Sequence, residues 1–138
     1  MTLDADVVRG RCQEIEQSLA RLERVRAEGR AGFLGNADAQ DIACYRLLVA
    51  IEAALALCYH VSARRLRVAP EDYAGCFHVL DRAGVIPEDL SERLQQMARF
   101  RNLLVHVYWT IDYGRVFDAI ENDLGDLRTF SRIVAGMI

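Results

Sequence analysis

No lysine occurs in the chain. All 17 basic side chains are arginine, set against 20 aspartates and glutamates, for a formal net charge of −3. That balance excludes a protein that coats nucleic acid over its whole surface and leaves room for a local basic cleft. Proline is nearly absent, with two residues, and β-branched runs are few, which argues against a strand-rich fold. No stretch reaches the roughly 18 uninterrupted apolar residues of a membrane span. The longest candidate, LLVAIEAALALCYHV, carries Glu52 in its middle. The opening MTLDADVVRG lacks the basic segment and apolar run of a secretory leader. Cys12, Cys44, Cys58 and Cys76 form no CxxC pair, and Cys76 alternates with His78 without a second pair at ligand spacing. The expectation is therefore four reduced core thiols in a cytoplasmic protein, with no metal, no cofactor and no membrane.

What is present suits one domain spanning residues 1–138. Apolar residues make up 52% and charged residues 27%, enough to bury a core. Val8, Cys12, Ile15, Leu19 and Leu22 recur at spacings of four and three, which predicts a helix from about Asp4 to Glu28. Glycines 29, 32 and 35 predict a loop, and Asp38 a cap for a second helix reaching residue 68. Pro70 ends that helix. A short third follows, with Tyr73, Phe77 and Leu80 inward, closed by Gly84. Pro87 opens a fourth. A fifth spans Asp112 to Met137, with Phe117, Ile120, Leu124, Leu127, Phe130 and Val134 on one stripe. The pattern predicts an all-α fold, an antiparallel bundle of four to five helices.

The fourth helix breaks its own pattern. Leu90, Leu94, Met97, Leu104 and Tyr108 form its inward seam, and Arg101 falls on the same seam. A guanidinium there cannot shed its charge, so it needs a carboxylate or a wet cleft. Glu52, stranded in the apolar second helix, is the best carboxylate available. His106 follows Arg101 by five residues, about 140° around a regular helix. The two diverge unless the helix ends or bends between them, or a second subunit completes a site. VHVYWTIDYG is poor in helix formers, which favours unwinding near His106. Spacing alone leaves two readings open: a structural Arg–Glu bridge beside a core histidine, or a reactive site. Among the other polar residues, Arg64, Arg65 and Arg67 suit either a solvated helix C-terminus or a basic patch that could guide a nucleic-acid backbone. His60 and His78 read as partly buried structural histidines, and Tyr113 and Trp109 as packing aromatics that could stack on bases.

Phe100-Arg101-Asn102, three apolar residues, His106, one residue and Tyr108 resemble the RNxxxHxY motif of the HEPN superfamily, in its HepT-like branch of bacterial toxins. The likeness extends through LLVAIEAALALCYHV and YAGCFHVLDRAGVIPEDLSERLQQMARFRNLLVHVYWTIDYGRVFDAI, over most of residues 40–121. The resemblance implies a helical homodimer whose arginines and histidines meet in an interfacial cleft. It further implies metal-independent cleavage of RNA and a nucleotidyltransferase antitoxin as partner, which transfers AMP to the motif tyrosine. Arg101 and His106 would then be catalytic, Asn102 supporting and Tyr108 the modified position. A supporting role for Glu52 rests on burial alone. The alternative is a HEPN module that binds a nucleotidyltransferase without cleaving RNA.

Overall fold

The computed structural model describes residues 2–106 and 110–138, the side chain of His106 excepted. Every described element is helical: α1 (Ala5–Ala27), α2 (Gly29–Leu34), α3 (Ala37–Val61), a π turn (Ser62–Leu66), α4 (Tyr73–Arg82), α5 (Glu88–His106), α6 (Tyr113–Asn122) and α7 (Leu124–Ala135). The all-α bundle follows the sequence expectation, with seven helices among the described residues in place of four or five.

Each departure has a local cause. Gly29 takes a positive φ of 84°, and this turn lets the chain restart at once as α2, where a loop was expected. Phe33 is what α2 buries, its ring 5.4 Å from that of Phe117. The cap of α3 is Asn36, whose side chain accepts from the Ala39 N–H at 3.1 Å; Asp38 sits in the first turn instead. The expected fifth helix divides at Asp123, so its stripe is shared between α6 and α7.

Glu52 aside, the apolar α3 is the hub that contacts every other helix. With the π turn it is long and apolar enough to cross a membrane by length and composition. Here those apolar residues face neighbouring helices instead: Leu47, Ala50, Leu57 and Val61 are at most 1% exposed. The α1 stripe of Val8, Ile15, Leu19 and Leu22, each 0% exposed, packs mainly on α3. Phe77 of α4 meets Phe130 of α7 edge-on, ring centres 5.4 Å apart.

The cysteine expectation needs correction. Cys58 of α3 and Cys76 of α4 are joined as a disulfide, while Cys12 and Cys44 are free. An 18-residue separation conceals the pair in the sequence. Packing of α4 against the end of α3 brings the two sulfurs together.

Candidate active site

Arg101 sits in the third quarter of α5, and two other helices reach it. Glu52 of α3 accepts a hydrogen bond from its Nε, forming an ion pair. The Tyr73 ring, at the first turn of α4, lies 4.8 Å from the guanidinium carbon. Asn102 Oδ1 accepts from Nη1 at 3.3 Å. Three elements distant in sequence therefore converge on one cation.

The pair is lopsided in burial. The Arg101 side chain is 16% exposed and that of Glu52 is 44% exposed. Glu52 was expected to be a buried anion, yet it faces water on one side; the turn of α3 that carries it looks outward between α1 and α5. Arg101 thus lies at the floor of an open surface and is not sealed in a core. Tyr73 also departs from expectation. It was placed on an inner face but is 40% exposed, because the ring leans on Arg101 at the bundle's rim. Nothing in the spacing of residues 73 and 101 signals that contact.

α5 is helical from Glu88 through His106, so the helix does not end between Arg101 and His106, and the divergence of about 140° at the backbone stands. The His106 side chain, Tyr108 and Trp109 lie outside the described residues, so the expectations attached to them carry no geometry. The upstream seam is as expected: Leu90, Leu94 and Met97 are 3%, 0% and 4% exposed.

The remaining polar residues sort by their partners. His60 Nε2 accepts from the Asp4 N–H at 3.0 Å, and burial together with the nearby Arg64 lowers its pKa. Both effects favour the neutral acceptor, a structural role. His78 is exposed, against the expectation of partial burial. Tyr113 packs edge-on against Phe33, ring centres 6.3 Å apart. A cleft of about 290 Å³ between α5 and α6 includes Arg93, Arg115, Asp118 and Asp123. There, burial and the neighbouring Asp126 push the Asp123 carboxyl up to about 6. Sequence reading missed this cleft, since its charges lie on separate helices. Among the described residues no group of three or more His, Cys, Asp and Glu side chains is placed to hold a metal ion.

The sequence model of the family described as Ribonuclease HepT-like matches residues 15–134. The protein named mRNA nuclease HepT, from Shewanella oneidensis, is 22% identical over 129 residues, covering 94% of this chain and 96% of that relative. In solved structures, the tri-AMPylated HEPN toxin of Shewanella oneidensis in complex with MNT antitoxin shares the fold with a TM-score of 0.87 at 22% identity, over 95% of this chain and 98% of that one. The cytosolic protein YutE of Bacillus subtilis gives 0.81 at 18% identity, over 99% and 92%.

Proposed function

This chain belongs to the HepT-like ribonuclease family, and we propose that it is a metal-independent endoribonuclease, the toxin of a bacterial toxin–antitoxin pair. A nucleotidyltransferase antitoxin restrains it by transferring AMP to Tyr108. The observation that carries the reading is the Arg101 guanidinium, held by Glu52 and backed by Tyr73 at an open surface, within a motif that supplies His106 one helical turn and a little more downstream.

The chemistry suits these groups. In RNA the 2′-oxygen attacks the adjacent phosphorus while the bond from phosphorus to the 5′-oxygen breaks, leaving a 2′,3′-cyclic phosphate and a 5′-hydroxyl. One histidine takes the 2′-proton and another protonates the departing oxygen. An imidazole with an ordinary pKa of about 6.5 can do either near neutrality. Arg101 stabilises charge on the non-bridging oxygens. Glu52 and Asn102 fix its orientation, since each already holds one of its nitrogens. A homodimer in the cytoplasm brings two copies of His106 to one cleft, which answers the divergence of Arg101 and His106 along a continuous α5.

Purified protein in EDTA should cleave RNA. Arg101→Ala and His106→Ala should each lower the rate at least a hundredfold, as expected for loss of a charge stabiliser or proton-transfer group. Tyr108→Phe should keep appreciable cleavage yet resist AMP transfer. Activity that vanishes in EDTA and returns with a divalent metal would refute the mechanism. Unimpaired cleavage by His106→Ala would leave the non-catalytic binding module.

A further inference from the structure

Behind Tyr73 the surface continues as a concave apolar pocket of about 530 Å³, lined by Tyr59, Ala63, Arg67, Val68, Ala69 and Pro70. Tyr59 meets Tyr73 edge-on with ring centres 6.1 Å apart, and Tyr73 in turn lies 4.8 Å from the Arg101 guanidinium. Two short steps therefore link the pocket to the motif arginine.

Arg67 carries an independent sign. Its φ of 56° makes it the single non-glycine residue with positive φ among the described residues. Glycine would hold that backbone at lower cost, so an arginine there retains an exposed guanidinium against local preference. Arg67 itself lines the pocket and is exposed, so its guanidinium makes that edge cationic. The nearby Asp72 carboxylate accepts from the Gly75 N–H at 2.6 Å, committed to capping α4.

The geometry points to a base-binding subsite: one unpaired base of an RNA strand enters the pocket against Tyr59, with Arg67 on the flanking phosphate, while the neighbouring phosphate rests at Arg101. Apolar walls, an aromatic ring and a cationic rim are what a single-stranded nucleotide recognises. A stacking ring tolerates any base, and the guanidinium forks onto phosphate oxygens. The subsite rests on the ribonuclease reading and extends it to where the strand is gripped.

The test uses full-length His106→Ala as parent, with a fluorescein-labelled single-stranded oligoribonucleotide and, in parallel, the same strand carrying 2-aminopurine. Arg67→Gly should bind about tenfold more weakly while melting no lower than the parent, a combination that a purely structural arginine does not produce. Tyr59→Leu should lose about tenfold in affinity and the quenching of 2-aminopurine that stacking causes. Unchanged affinity in both variants overturns the subsite, as does a parent that binds no RNA. Loss of binding to the nucleotidyltransferase with RNA affinity intact also overturns it, in favour of a protein-docking surface. Cleavage by the wild type is scored separately. Binding through Tyr59 and Arg67 without cleavage refutes the ribonuclease reading alone, and cleavage with unchanged affinities refutes the subsite alone.

Discussion

Arg101 has a structural role in the bundle that stands apart from its part in the proposed reaction. A guanidinium 16% exposed needs compensation, and Glu52 provides it from a position still open to water. Because the carboxylate is 44% exposed, solvent screens the pair. Breaking it should cost much less than the 3 to 5 kcal/mol typical of a fully buried pair. Glu52→Gln is expected to lower stability by about 1 kcal/mol in urea unfolding. A double-mutant cycle with Arg101→Met should recover part of that loss, and strictly additive losses would show that the two do not interact in solution. Asp123 gives a second residue-scale test. Its carboxyl is raised from 3.8 to about 6 in the folded chain, so between those values the folded state binds the proton more tightly than the unfolded one. This contribution to stability is full at the acid end and is lost as pH rises toward 6. Discounted for its partial exposure, the loss is about 1 kcal/mol. Asp123→Asn should therefore gain roughly that amount at pH 8 and little at pH 4.5.

At the scale of elements, α4 matters most, because it is short and yet supplies Tyr73 to the site. Two ties hold its faces in place. Ser91 Oγ of α5 donates to the Phe77 carbonyl at 3.1 Å, and the Cys58–Cys76 pair links it to α3. Closing a loop of this length removes about 3 kcal/mol of unfolded-state entropy. A reducing compartment would oppose such a bond, so the pair is where oxidation would act on this bundle. Protein purified without reductant and denatured should show two alkylatable thiols, Cys12 and Cys44, and four after reduction. Four labelled thiols before reduction would show that the bond does not form in the purified chain. The split between α6 and α7 serves a different end. It sets Phe117 of α6 against Phe33 and Phe130 of α7 against Phe77, so each half of the stripe packs on a different neighbour.

The whole molecule leaves apolar side chains exposed on the two helices that carry Glu52 and Arg101. On α3, Ile42 is 44% exposed and Tyr45 is 61% exposed, and Leu103 of α5 is 38% exposed. In the proposed homodimer a second copy would bury them and bring its own His106 to the same cleft. Sedimentation should find a species of twice 15.6 kDa. Tyr45→Arg should shift it toward monomer and lose RNA cleavage together, since a charge at the middle of an apolar contact opposes association. A stable wild-type monomer at micromolar concentration would remove the shared cleft.

Helical periodicity by itself determined that the chain is an all-α bundle, the inward stripe of α1 and where α1, α3 and α5 run, because apolar spacing is a local property of a 3.6-residue repeat. Resemblance to the family motif singled out Asn102 and Tyr108 beside Arg101 and His106, and charge frustration alone marked Glu52 as the partner of Arg101. Short-range turn geometry was less legible: the immediate restart of α2 at Gly29 and the break at Asp123 depend on what Phe33, Phe117 and Phe130 pack against. Only the tertiary structure decided that Glu52 is half open to water, that Tyr73 lies on Arg101, that Cys58 meets Cys76 and that Tyr59 and Arg67 border one pocket. The Tyr73–Arg101 and Cys58–Cys76 contacts join residues on different helices. Their separation in space is set by how helices cross, a quantity that no spacing within one helix encodes.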